Sequence, residues 1–458
     1  MSTQFGLPGD RVGAVHVALG GGSHAAPRRW RRIVAANLGW LAASNGLGAV
    51  LSLVYVGIVV RTLGIEGFGR FALITGAAQA LTVLFGVETW KIVVQYGQEH
   101  ELRGDAPAMA RLIHAAVRME IVGVALGIAS ALAVVALGRE AFGMSRDIAF
   151  VALGYAVVQL LAMRSTPTGL LRLHDKFGLA AVADSVQPIG RMVGTLLALW
   201  FSPTLTGFLV AYAIVELLTA ATYWLFVHFR LGLAPTAAWR FDWGRVRHEN
   251  DALLRSLWST NLQSRLMLAS RQAPLFIVGS MIGPAAAGAF RLALQLANAL
   301  SKLSNLIMRA AFPEILRSAR GLTPDRMRRL TGRILMTGVA AGVVLLPIVA
   351  AGGSTLLMLL AGQKSPVAYG MLLWLTAAGC ADLIAVLLEP ILLAVRRAGA
   401  ILTARGAAVL AQLCGAGLLV PLMGAYGASA SVLVGAGVGA AILAVVAMRY
   451  AHLPEARG

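Results

Sequence analysis

Arg291, Gln295, Asn298, Lys302, Asn305 and Arg309 are spaced by four, three, four, three and four residues within the otherwise apolar run 288–310. That spacing places them on one face of an α-helix. The run is also long enough to cross a bilayer, which takes about 20 residues at about 1.5 Å each. A lipid-facing cation at mid-bilayer costs at least ~2.5–3.5 kcal/mol. The stripe therefore faces protein, or a water-filled cavity within protein. Guanidinium forks and an ammonium on such a wall attract anions, phosphate oxygens above all. On the preceding apolar stretch Asn261, Ser264, Arg265, Arg271 and Gln272 fall within about 120°. Consecutive helices are usually neighbours, so both stretches are expected to line one side of a positively charged cavity.

Other charges sit inside apolar stretches: Arg164, Arg191, Glu216, Asp382 and Glu389. Arg191 with Glu216 is expected to form a structural ion pair. The alternative is a coupling site, and Asp382 and Glu216 are the candidates for binding H⁺ or Na⁺. No phosphate-binding loop, paired-carboxylate site or His/Cys cluster is present. Cys380 and Cys414 lie in apolar runs and read as small core residues. Scattered histidines such as His114, His174 and His248 read as loop residues. No metal and no cofactor are expected, and the chain reads as a transporter rather than an enzyme.

The elements that must position these residues are membrane helices. Of 458 residues, 58% are hydrophobic and only 13% charged, which excludes a soluble globular protein of this length. Twelve spans are expected, at about 38–60, 67–92, 113–138, 148–171, 178–201, 205–229, 253–280, 286–311, 332–352, 366–394, 400–421 and 426–449. The connectors alternate in charge. One set carries Arg103, Arg111, Arg172, Lys176, Arg240, Arg245, Arg247, Arg317, Arg320, Arg326, Arg328, Arg329, Arg396 and Arg397; the other carries only Arg61, Arg70, Arg139, Arg146 and Lys364. The basic set is expected on the cytoplasmic side, with both termini. The formal charge of +19 is then read as membrane orientation, not as nucleic-acid binding. Residues 1–36 have no signal-peptide-like apolar core and end in the basic run PRRWRR, expected at the anionic inner leaflet. Pro188, Pro347 and Pro390 fall inside spans and are expected to kink or hinge them.

The chain repeats. LGIEGFGRFALITGAAQ, 63–79, lies over IGPAAAGAFRLALQLAN, 282–298, with Gly64 over Gly283, Gly69 over Gly288, Phe71 over Phe290 and Gln79 over Asn298. LRLHDKFG, 171–178, likewise resembles LAVRRAG, 393–399. Six spans per copy make a parallel repeat about an axis along the membrane normal. The face of span 2 that matches the stripe is Ala72, Gly76, Gln79, Val83 and Gly86, small and nearly neutral. The expected fold is an all-α polytopic membrane protein, about twelve transmembrane helices in two parallel-repeat six-helix lobes around a central cavity. The expected division is a tail at 1–36, lobes at 37–230 and 253–450, a linker at 231–252 and a tail at 451–458.

This layout, with LGIEGFG (63–69), its second copy IGPAAAG (282–288) and the basic loop LHDKFGLAAVADSV (173–186), resembles the O-antigen and exopolysaccharide flippases of the multidrug/oligosaccharidyl-lipid/polysaccharide exporter superfamily. The resemblance implies alternating access in the bacterial inner membrane and an undecaprenyl-diphosphate-linked oligosaccharide as cargo. Other polysaccharide-assembly membrane proteins are implied as partners. Arg265, Arg271, Arg291 and Lys302 would face the diphosphate, and Gln79, Asn261, Gln295, Asn298 and Asn305 the sugar. The alternatives are a cation-coupled multidrug exporter and a peptidoglycan-precursor flippase. Cationic drugs call for carboxylates or aromatics, and the two striped stretches lack carboxylates.

Overall fold

Gly64 is where the first pair of spans turns over. Its φ of 71° and ψ of 173° interrupt an otherwise continuous helix, α1 (Arg28–Phe85), in a conformation that L side chains rarely adopt. The expected counterpart Gly283 also has positive φ, 122°. These are features of a computed structural model that describes residues 28–138, 145–232, 243–250, 252–300, 324–394 and 398–450. Residues up to Gly46 form one unit, of which 28–46 are helical; the second unit, Leu47–Gly458, contains the core and the cavity. Lys302 and Asn305 lie outside the described residues, as do 1–27 and 451–458.

The helices that follow are α2 (Thr89–Arg103), α3 (Ala106–Gly138), α4 (Arg146–Leu161), α5 (Ser165–Leu173), α6 (Phe177–Phe201), α7 (Leu205–Leu231), α8 (Trp243–Glu249) and α9 (Leu253–Met281). After α10 (residues 284–300) come α11 (Pro324–Ala361), α12 (Pro366–Ala394), α13 (Ala398–Met423) and α14 (Ala425–Tyr450). With α1 counted as two arms, α2 continuing its second arm and α5 continuing α4, the described residues form twelve rods besides the short α8. Eight described stretches are long and apolar enough to cross a membrane, one of them running through the Gly64 turn from Val50 to Arg103. Helices α6 and α9 are long enough but less apolar, because they carry Asp184 and Arg191, and Arg255, Arg265 and Arg271.

The main core draws on both halves of the chain at the end where Gly64 and Gly283 turn. Tyr55, Val59, Phe68 and Phe71 pack there with Leu275, Val278, Phe290, Leu292, Leu357 and Leu372. At the opposite end each half has its own cluster: Val93, Leu170, Leu171, Tyr223 and Val227 in the first, Ile334, Leu388, Ile391, Leu443 and Ala447 in the second. Helix α8, inside the expected linker, is docked onto the first half. Arg111 donates twice to Glu249, at 2.9 and 2.6 Å, and His100 pairs with Asn250 at 2.9 Å.

The repeat becomes a physical contact at the turn end. A Cβ on Gly69 would lie 1.8 Å from the Pro284 carbonyl oxygen, and one on Gly288 would lie 2.1 Å from that of Ile65. Ile65 and Pro284 are themselves counterparts in the 63–79 and 282–298 alignment. The two contacts are therefore each other's image, and only glycine permits backbones to meet so closely. Beside them the Arg61 guanidinium donates to the Leu359 carbonyl in the last turn of α11, where a helix leaves carbonyls unpaired and favours a cation.

Two rods are broken inside the membrane region, α1/α2 at residues 86–88 and α4/α5 at 162–164. Bare backbone at that depth needs internal partners. Buried Glu120 supplies them: it accepts from the Thr89 and Thr166 hydroxyls and, at 2.7 Å, from the Thr166 N–H. Two helix N-termini thus converge on one carboxylate, as their dipoles favour. Trp224 Nε1 donates to the Met163 carbonyl at 3.0 Å, and Asn261 Oδ1 accepts from the Glu88 N–H at 3.1 Å.

Candidate functional site

A cavity of about 280 Å³ lies next to the main core, lined from both halves. The first arm of α1 contributes Tyr55, and the second Phe71, Thr75 and Gln79; α4 gives Tyr155 and Gln159. Arg164 reaches it from the α4/α5 break, Gln187 and Arg191 from α6, and Tyr212 and Glu216 from α7. The second half adds Arg291 and Gln295 from α10. Three guanidinium groups and one carboxylate face this space, a surplus of two positive charges.

The α4/α5 break explains why Arg164 reaches inward: it occupies the position before α5, with non-helical φ and ψ of −142° and 3°. On α6 Gln187 and Arg191 are four apart, so both point the same way. They meet Glu216, whose side chain is 3% exposed. Gln187 Nε2 and an Arg191 terminal nitrogen each donate to Glu216 Oε1 at 2.7 Å, and Arg164 donates to Oε2 at 3.2 Å. A carboxylate buried this deeply requires such compensation. The Arg191 guanidinium also lies 5.1 Å above the Tyr212 ring, which Tyr55 and Phe71 meet edge-on with centroids 6.0 and 5.1 Å away. Arg191 Nε and Gln159 Oε1 are buried without a hydrogen-bond partner among the described residues.

Of the residues expected to line a cavity, Arg291, Gln295 and Gln79 do so. Gln295 also donates to Ser52 at 3.0 Å, and Gln79 accepts from Gln272 at 2.9 Å, so each amide also ties one half to the other. Asn261 is taken up by the α1/α2 break, its Nδ2 donating to the Leu257 carbonyl at 2.8 Å. Arg265 is half-buried with Nε unpartnered among the described residues, while Arg271 and Asn298 are exposed; none of the three lines this cavity. Asp382 is on α12, away from the lining. The expected Arg191–Glu216 pair is present, with Arg164 as a third member.

Sequence reasoning missed that the first half is cationic here. It compared only the span-2 face, where Ala72 and Gln79 do line the cavity, and assigned Arg164 and Arg191 to pairing alone. The available signal was weak: spans 4 to 6 hold two arginines, Arg164 and Arg191, against two carboxylates, Asp184 and Glu216, so their charge count alone shows no excess. The tyrosines gave no signal, because Tyr55, Tyr155 and Tyr212 stand in apolar runs where an aromatic usually means core.

A model of the family described as polysaccharide biosynthesis protein matches residues 34–318. The inner membrane protein YghQ of Escherichia coli (strain K12) is 26% identical over 357 residues, spanning 74% of this chain and 96% of that protein. An inward-facing multidrug resistance MATE family transporter of the MOP superfamily superposes with a TM-score of 0.60 at 14% identity, over 88% of this chain and 93% of that one. The lipid II flippase MurJ in an inward closed conformation gives 0.60 at 12% identity, over 88% and 86%. At these identities the two structures speak for the twelve-helix fold.

Proposed function

The chain belongs to the polysaccharide biosynthesis protein family, and from its cavity we propose that it is a flippase for lipid-linked oligosaccharide. Its cargo is a sugar unit on undecaprenyl diphosphate, moved from the inner to the outer leaflet of the cytoplasmic membrane by alternating access. The observation that carries the reading is the cationic cavity between the two halves, with Arg164, Arg191 and Arg291 against a single carboxylate. A diphosphate crossing the hydrocarbon core needs paired cations for its oxygens. Glutamines and tyrosines beside the arginines suit a sugar, with donors and acceptors for hydroxyls and flat faces for the ring. The distribution of basic connectors supports the Gly64 end outside and the α8 end inside. The apolar core then closes the outer end in the conformation described.

The surplus of positive charge opposes a cationic drug as cargo. A peptidoglycan precursor carries the same anion and differs only in its sugars and peptide. The test is chemical: deletion of the gene in its own host should make one lipid-linked glycan accumulate on the inner leaflet, restored to normal by the wild-type chain. Unchanged lipid-linked glycans with unchanged surface polysaccharide would sink the proposal.

A further inference from the structure

Arg191 and Arg291 face one cavity from opposite halves, yet their surroundings differ. Among the described residues Arg291 has no hydrogen-bonding or ionic partner, while Arg191 holds Glu216 by one terminal nitrogen and leaves its buried Nε unpaired. A guanidinium can grip an oxyanion through Nε and a terminal nitrogen together. Arg191 spends only one of these on Glu216. Glu216 in turn is held by Gln187 and Arg164 as well, so it keeps two donors if Arg191 lets go.

We propose that Glu216 is an exchangeable stand-in for the cargo's diphosphate. With the cavity empty it keeps Arg191 compensated. When the diphosphate enters, Arg191 transfers to it and shares it with Arg291, so an ion pair within one half is traded for an anion bridge between halves. On release Glu216 takes Arg191 back, so the anion is not trapped by an arginine it could never leave. This rests on the anionic-cargo reading and adds a competing internal anion and a defined pair of arginines.

The test is binding to the purified full-length protein in detergent, using inorganic pyrophosphate and farnesyl diphosphate as probes, which carry one anion without and with an apolar tail. Wild type binds both, farnesyl diphosphate more tightly because the cargo is lipid-borne. E216Q binds about tenfold more tightly, as the loss of one charged competitor implies, and its transport is slower. R291Q and R191Q each bind about tenfold more weakly or worse. In the R191Q background the gain from E216Q disappears, because the two act through one contact. The proposal is overturned if E216Q binds no better than wild type, or if its gain survives in R191Q, which would make Glu216 a general field. Should E216Q not accumulate, E216D keeps the charge but withdraws it by one methylene; it too must bind more tightly, and equal or weaker binding overturns the exchange. Equal affinity for the two probes overturns the lipid-borne source. Failure of wild type to bind either probe is a different outcome and removes the anionic cargo itself.

Discussion

Alanine at Gly69 should unseat the outer closure without harming either half. A Cβ there would stand 1.8 Å from the Pro284 oxygen, 2.6 Å from its carbonyl carbon and 2.9 Å from the Gly288 nitrogen. Ordinary contact begins near 3.4 Å, so the backbones must part by at least 1.6 Å, and all three atoms are backbone and cannot rotate away. Overpacking of this kind costs about 1–3 kcal/mol or more. Under the proposed alternating access these segments separate in the outward-open state, so the cost falls on the closed state alone. An equilibrium shift of about five- to 150-fold toward outward-open follows, at 1.4 kcal/mol per tenfold. The assay is labelling of a Gln79→Cys variant in intact cells with an impermeant thiol reagent, in a chain whose Cys380 and Cys414 are replaced by alanine. The closed wild-type background should label slowly and Gly69→Ala much faster, with lower transport. Gly288→Ala should do the same, and the double variant little more, since one contact serves both. Gly154→Ala, where a Cβ meets nothing within 4 Å, is the control. Unchanged labelling with normal transport in both Gly69→Ala and Gly288→Ala would show that this backbone contact does not hold the closed state.

Glu120→Ala removes the acceptor shared by Thr89 and Thr166 and should cost about 1.5–3 kcal/mol, the range for hydrogen bonds to a charged group, seen as lost membrane abundance and a lower melting temperature; normal abundance would show that the two helix breaks do not depend on it. Cysteines replacing Pro203 and Lys364 should react with an impermeant reagent in intact cells and those replacing Gly104, His174 and Arg245 should not, and the reverse pattern would invert the orientation. Asp382→Asn should lower transport while sparing abundance if Asp382 binds the driving H⁺ or Na⁺; parallel loss of both would make it structural.

Much of the architecture was legible because membrane helices carry their evidence locally. Apolar length gives the spans, and alternating connector charge gives the expected orientation. The repeat, faint residue by residue, names Gly69 and Gly288 as counterparts, and the structure brings those two together. Arg291 and Gln295 of the stripe both line the cavity, since a period of 3.6 fixes which residues share a face. It does not fix which rod that face meets. Asn298 shares the stripe but is exposed, outside the lining. The break at 86–88 has no proline to announce it, whereas Pro167, in the first turn of α5, cannot bond back to the Met163 carbonyl and so marks the one at 162–164; both are held by Glu120 on α3, a partner distant in sequence. Arg164 was visible as a buried cation, but its aim into the cavity depends on one of those breaks.

On the proposed function, the cationic cavity carries a lipid-linked diphosphate sugar across the membrane. The direct measurement is flipping of such a lipid in proteoliposomes, read as the fraction of glycan reached by an enzyme added outside. Wild type should speed the movement well above protein-free vesicles. Arg291→Gln, equally well inserted, should slow it about ten- to hundredfold, the loss of one charged hydrogen bond of about 1.5–3 kcal/mol, and Arg291→Lys should lie between. Wild-type protein that moves no lipid-linked glycan, or Arg291→Gln that moves it at the full rate, would contradict a cationic cavity that carries this cargo.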